Sequence, residues 1–206
     1  MNRLKWGRPT LALLCVAIGF VFMAEAALIQ TKAWLGPILL RDAWAKTLQH
    51  GLPEKPWSWA DIHPAAHLEI PSQGIDLIVL NNSSGEALTW GPGLWSTPPG
   101  NGEFAPAGHT IITGHRDTHL AFLSDIAAGE TVLLTNADGN TQHFATTKTQ
   151  VVDIRHDQVV PPPGDGWLLL VTCYPFAGID PGTPERFLVW AQQVRKPVEL
   201  ASAGKG

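Results

Sequence analysis

Short aliphatic and β-branched runs, broken by glycine and proline, are what most constrain the fold of this 206-residue chain. Seven such runs occupy residues 66–70, 75–80, 110–113, 131–135, 143–152, 168–172 and 187–194. Each suits a strand and is short for a helix of ordinary length. Turn chemistry separates them at Ser72-Gln73-Gly74, Ala137-Asp138-Gly139-Asn140 and Pro161-Pro162-Pro163-Gly164. Twenty glycines and seventeen prolines placed in this way predict an all-β domain, a closed barrel or sandwich of seven or eight strands, and argue against a helical bundle. One short helix fits after His119, over 120–126. No period of 20–50 residues recurs, so a repeat architecture is not expected.

The N-terminal quarter has a different composition. Arg3, Lys5 and Arg8 precede an apolar stretch over 11–24, and Ala26, Ala27, Leu28 and Ile29 follow the single charge of Glu25. Together these approach the ~20 residues a helical membrane span needs. Basic residues before the span, and none after it until Lys32, predict a cytoplasmic N-terminus with the remainder outside. Ala24-Glu25-Ala26 also fits a cleavage site, but the return of apolar character beyond Glu25 favours a retained anchor. Under either reading the rest of the chain is exported. Over 30–51, Trp34, Leu35, Ile38, Leu39, Ala43, Trp44 and Leu48 recur at helical spacing, with Pro37 as a kink or start. This predicts a stalk helix that partly docks on the domain, with Trp57-Ser58-Trp59 pinning it. The expected organisation is a basic tip and transmembrane anchor (1–30), a stalk helix and linker (31–56), a barrel domain (57–197) and a flexible tail (198–206).

The formal net charge is −4; without Arg3, Lys5 and Arg8 it is −7, with 11 basic residues against 18 acidic. A nucleic-acid partner is therefore not expected. No carboxylate cage or phosphate-cradling glycine motif is evident, and no cofactor is expected.

Of the two cysteines, Cys15 lies in the apolar segment, which leaves Cys173 as a lone thiol in an oxidising compartment. A small buried hydrophobe at a strand end is one explanation of it. A nucleophile is the other, and its neighbours favour that. Cys173 closes the apolar run 168–173, His115 closes the run 109–115, and Arg186 opens the run 186–190. If the strands before and after the 174–185 loop pair antiparallel, Arg186 returns beside the thiol. The prolines and glycines of that loop suit a structured flap over a site. Nearby positive charge favours the thiolate, His115 can move a proton, and Arg186 offers fixed N–H donors to an oxyanion or a substrate backbone. His115 and His119, four apart, with Cys173 make a zinc site the sharpest chemical rival. It is disfavoured because His115 ends a strand, Arg116 adds positive charge and no glutamate separates the histidines, so no metal is predicted. Arg116 and Asp117 are expected to form a local ion pair.

The motifs Thr113-Gly114-His115-Arg116-Asp117-Thr118-His119 and Val171-Thr172-Cys173-Tyr174-Pro175-Phe176, with Arg186 beyond a Pro/Gly loop, resemble the sortases, which are cysteine transpeptidases. The likeness covers roughly 57–195 and is greatest to the proteobacterial, Gram-negative class. Two departures are Leu169, where the family's Thr-Leu-x-Thr-Cys opens with threonine, and His109, where asparagine is expected. The resemblance implies a closed barrel of about eight strands with short helices. It also implies Cys173 as nucleophile, His115 as general acid and base, Arg186 as stabiliser of oxyanion or substrate, and substrate contacts from Thr172 and Tyr174.

The implied activity is cleavage of a Leu-Pro-x-Thr-Gly-like sorting signal at the C-terminus of an exported protein, through a thioester, with transfer to an amine acceptor. The implied location is the inner membrane, with the domain in the periplasm. A cysteine peptidase that hydrolyses the same acyl-enzyme and a non-catalytic periplasmic binding barrel are the alternatives. The long segment 81–108 reads as a binding loop in which Trp90 or Trp95 lines a substrate groove or else plugs the barrel end.

Overall fold

The structure is a computed structural model and describes residues 7–95, 109–178, 180 and 182–194. The basic tip at Arg3 and Lys5, the Pro98-Pro99-Gly100 turn and the expected tail 198–206 lie outside the described residues. Helix α1 (Gly7–His50) is one continuous α-helix. Pro37 lies inside it and neither starts nor ends it, in contrast to the separate stalk expected from residue 30. Gly51 (φ +70°) ends the helix, its N–H donating to the Thr47 carbonyl at 2.9 Å in a left-handed cap.

The chain divides into two compact units, 1–39 and 40–206. In the first, the large side chains Leu13, Phe20, Phe22 and Met23 are exposed. Among the described residues no helix is long and apolar enough to cross a membrane. The apolar run 11–24 by itself makes about 21 Å of helix, short of the ~30 Å hydrocarbon layer.

The second unit begins at Leu40, earlier than the expected boundary at 57, because the last turns of α1 have a buried face. Leu40, Ala43, Trp44 and Thr47 are buried at three- and four-residue spacing. Leu40 and Trp44 cluster with Ala60, Ile62, Ile78 and Leu80. Trp57 packs on Trp90 with ring centroids 4.8 Å apart, whereas Trp59 is 80% exposed and pins nothing.

The barrel strands are β1 (Pro64–Ile70), β2 (Ile75–Leu80), β3 (Gly93–Leu94), β4 (Thr110–Thr113), β5 (Thr131–Asn136), β6 (Thr141–Asp153), β7 (Trp167–Cys173) and β8 (Glu185–Val194). They close in the order β1-β2-β3-β4-β7-β8-β6-β5. The β2/β3 and β4/β7 pairs are parallel and the others antiparallel. Alternation fills the interior: β1 is buried at every second residue, and Leu68, Ile70, Val79, Ile112, Val132, Leu134, Leu168, Leu170 and Val189 form the core. Fully burying each such side chain is worth about 1.5–3 kcal/mol.

Part of the segment expected to be one long loop is ordered. Helix α2 (Gly85–Trp90) is capped by Ser84, whose Oγ accepts the Ala87 N–H at 3.2 Å. In β3 the chain passes so close to β2's exit that a Cβ on Gly93 would fall 2.0 Å from the Asn82 carbonyl oxygen. Beyond His115 the expected short helix is a 3₁₀ turn over Ala121–Asp125.

Candidate active site

Strand register brings the three chemical groups together. In the parallel β4/β7 pair Ile111 lies opposite Leu169 and Thr113 opposite Val171, and the Gly114 N–H extends the ladder to the Val171 carbonyl at 3.2 Å. Continued by two residues, this register sets His115 opposite Cys173. In the antiparallel β7/β8 pair Cys173 lies directly opposite Arg186. Side chains alternate across a sheet, so these residues share the outer face with the ones two and four positions back. The same face carries Thr113, Val171 and Leu188 below them, then Ile111, Leu169 and Trp190.

His115, Cys173 and Arg186 line one cavity of about 460 Å³. Its floor is Val171, Leu169 and Leu188, and its sides include Ile154, Val159 and Trp95. His115 is exposed, while Cys173 and Arg186 are half-buried. One arm of the Arg186 guanidinium is held: Nη1 donates to the Thr183 carbonyl at 2.6 Å and to the Glu185 carbonyl at 2.8 Å. A thiol, an imidazole and an oriented guanidinium over an apolar groove can form an acyl intermediate, protonate the leaving group and stabilise the oxyanion.

The other residues expected to contact substrate divide. Trp95 lines the cavity and is 49% exposed. Trp90 is not among the residues lining it: its ring packs at a tilt against Trp57, and it joins the cluster of Leu40, Trp44, Ile78 and Leu80, separate from the barrel interior. Tyr174 likewise turns into an aromatic group, its ring stacked on Phe187 and edge-on to Phe176, with both centroids 6.2 Å away. Thr172 borders the cavity, but its side chain is on the inner side of β7, 2% exposed, and its Oγ1 donates to the Gly114 carbonyl at 2.8 Å. Its hydroxyl proton therefore ties β7 to the residue before His115. Gly114 is needed there because a Cβ would lie 2.8 Å from Leu120 Cγ.

Arg116 departs furthest from expectation. It forms no ion pair with the exposed Asp117; it is buried, and its donors cross to the β7–β8 loop, to the carbonyls of Gly178 and Asp180 and the hydroxyl of Thr183. Sequence reasoning missed this role and that of Thr183, for nothing in a Gly-His-Arg-Asp run signals that its arginine faces inward.

His119, half-buried in the turn after β4, sits below the ordinary imidazole pKa of 6.5, chiefly through burial and further through the charge of His115. The buried Nδ1 of His109 has no hydrogen-bond partner among the described residues. Among those residues no three His, Cys, Asp or Glu side chains come together as a metal site.

A family model for the sortase domain matches residues 68–194. Sortase A from Corynebacterium diphtheriae is similar in structure with a TM-score of 0.56 at 23% identity, over 68% of this chain and 65% of that one. The chain thus spans slightly less than two thirds of that structure. The lid mutant of the same enzyme matches with a TM-score of 0.56 at 20% identity, over 84% of this chain and 98% of that one. Sortase C-1 from Actinomyces oris gives a TM-score of 0.53 at 25% identity, over 65% and 74%. No curated protein sequence matches the chain.

Proposed function

Because the chain belongs to the sortase family, we propose that it is a cysteine transpeptidase of the proteobacterial class, with Cys173 as nucleophile, His115 as general acid and base, and Arg186 as the cationic donor. The observation that carries this reading is that all three side chains line a single cavity at matched register positions of β4, β7 and β8. The substrate is an exported protein ending in a Leu-Pro-x-Thr-Gly-like signal. The apolar floor of Val171, Leu169 and Leu188, flanked by Ile154, Val159 and Trp95, suits its leucine and proline.

The Cys173 thiolate sulfur attacks the threonine carbonyl carbon, and the oxygen takes up negative charge within reach of the Arg186 N–H groups. The carbon–nitrogen bond breaks as protonated His115 gives its proton to the departing amine. A thioester remains. Neutral His115 then removes a proton from the incoming amine, whose nitrogen attacks the thioester carbonyl, and the sulfur leaves as thiolate. The open side of the cavity at exposed His115 is where the acceptor amine enters.

A labelled peptide carrying the signal, incubated with an amine such as triglycine, is expected to give a ligated product at the expense of the hydrolysed one. Hydrolysis alone, unaffected by added amine, identifies a peptidase instead, and no turnover at all identifies a binding barrel.

The N-terminal part of α1 is proposed to anchor this unit in the inner membrane, with residues 57–197 as the catalytic domain in the periplasm. Exposed Leu13, Phe20, Phe22 and Met23, the continuation through Ala27, Leu28 and Ile29, and the flanking Arg3, Lys5 and Arg8 support this. The full chain is expected to stay with membranes after a carbonate wash, and a chain starting at residue 40 is expected to be released. Release of the full chain would rule out the anchor.

A further inference from the structure

One buried cation ties the turn after His115 to the loop that ends at Arg186. Arg116 is 8% exposed, and all its described partners are neutral acceptors. Nη2 donates to the carbonyls of Gly178 and Asp180, the latter at 2.7 Å, and Nη1 donates to Thr183 Oγ1 at 3.4 Å. Burying an uncompensated charge is costly, and among the described residues two carbonyl dipoles and one hydroxyl offset it. The approach is close enough to select residues on the loop: a Cβ on Gly178 would lie 3.3 Å from Arg116 Nη2 and 3.1 Å from the Pro175 carbonyl oxygen.

Thr183 is the shared element. Its hydroxyl accepts from Arg116, while its carbonyl accepts from Arg186 Nη1 at 2.6 Å. The two guanidiniums are thus joined through a single residue. On the other side, Arg116 directly follows His115, whose carbonyl accepts the Leu120 N–H at 3.0 Å and closes the turn. A planar fork with several fixed donors can span acceptors on three residues, which a flexible ammonium point charge matches poorly.

We propose that Arg116 is a positioning residue: it clamps the β7–β8 loop to the His115 turn and, through Thr183, fixes where the Arg186 guanidinium points into the cavity. This rests on the reading in which Arg186 contacts the substrate. Arg116 acts without touching the substrate itself, so its removal disturbs the alignment of Arg186 with His115 and Cys173 and leaves the groove for the peptide in place. The expected signature is a fall in kcat with a smaller change in KM.

The experiment uses the full chain and its Arg116→Gln, Arg116→Lys, Thr183→Val and Arg116→Gln/Thr183→Val variants. Acylation by a Leu-Pro-x-Thr-Gly peptide is followed as kcat and KM, and hydrogen exchange is followed over 174–186. Arg116→Gln is expected to lower kcat about 100-fold, the scale of misplaced catalytic groups. Arg116→Lys is expected to recover part of that. Thr183→Val, which removes one acceptor, is expected to cost about tenfold. The double variant is expected to match Arg116→Gln alone, because both changes break one linkage. All Arg116 variants are expected to exchange faster over the loop.

The clamp is overturned if folded Arg116→Gln keeps kcat within twofold, if the two losses multiply, or if loop exchange is unchanged. Should Arg116→Gln fail to fold, the half-buried Thr183→Val decides on the same two readouts. If the wild-type chain shows no acylation, it is the transpeptidase reading that fails, and loop exchange in Arg116→Gln still decides the clamp.

Discussion

Cys173→Ala is expected to abolish thioester formation and to lower peptide turnover by on the order of 10⁴-fold or more, the scale seen when a nucleophile is deleted from a cooperating set. Cys173 is the only thiol among the described residues that line the cavity. Cys173 is half-buried at the last position of β7, and alanine keeps the strand backbone and its pairing with Arg186. The fold should therefore persist, with an unchanged far-ultraviolet spectrum and a thermal midpoint within a few degrees. The two measurements together separate loss of chemistry from loss of structure. Residual turnover within tenfold of the wild type would mean that a water molecule or another group does the attacking.

His115→Ala carries the second large effect. General acid and base catalysis is worth about 10²–10⁴-fold, and here one imidazole serves both the departing and the incoming amine. The side chain is exposed, so its truncation leaves no cavity in the core. Its turn is held independently by Thr172 on Gly114, by the Leu120 N–H on the His115 carbonyl and by Arg116 on the loop. A loss of turnover by about 10³-fold at unchanged thermal stability is the expected result. Added imidazole should restore part of the rate, since it supplies the missing proton carrier. A variant that keeps wild-type kcat would remove His115 from the mechanism and leave Cys173 and Arg186 without a proton donor.

Much of the barrel could be read directly because its strands alternate. The runs 75–80 and 110–113 coincide with β2 and β4, and the other five differ from observed strands only at their ends. Cys173, His115 and Arg186 are singled out by their positions at strand ends, by the antiparallel return expected across the 174–185 loop and by the resemblance, and not by alternation. Nor does alternation reveal what fills the space beside a strand. Trp90 and Tyr174 are large aromatics expected at the groove, yet each packs on an aromatic partner, Trp57 and Phe187, that lies elsewhere in the sequence. Thr172 follows the rule that neighbours of an outward residue point inward, and that rule places its hydroxyl on the Gly114 carbonyl.

Two elements missed altogether are short. Helix α2 has under two turns, and β3 is two residues held by a close backbone approach at Gly93. Periodicity has no purchase on such lengths. Pro37, expected as a kink or start, does not start a helix, because a proline within a helix costs a hydrogen bond without always interrupting the element. The early start of the second compact unit follows from the burial of Leu40 and Trp44; Trp44 belongs to the helical spacing read from the sequence, Leu40 does not, and their partners Ile62 and Ile78 lie elsewhere in the chain.

The convergence of sulfur, imidazole and guanidinium over one groove is tested most directly by mass spectrometry of the wild-type chain trapped during turnover of a Leu-Pro-x-Thr-Gly peptide. The expected spectrum shows the mass of the acyl fragment ending in threonine, mapped to the segment containing Cys173 and removed by hydroxylamine. It should be absent from Cys173→Ala and sharply reduced in His115→Ala and Arg186→Ala. An adduct that survives Cys173→Ala, or peptide cleavage by the wild type with no adduct under rapid quenching, would contradict the assignment.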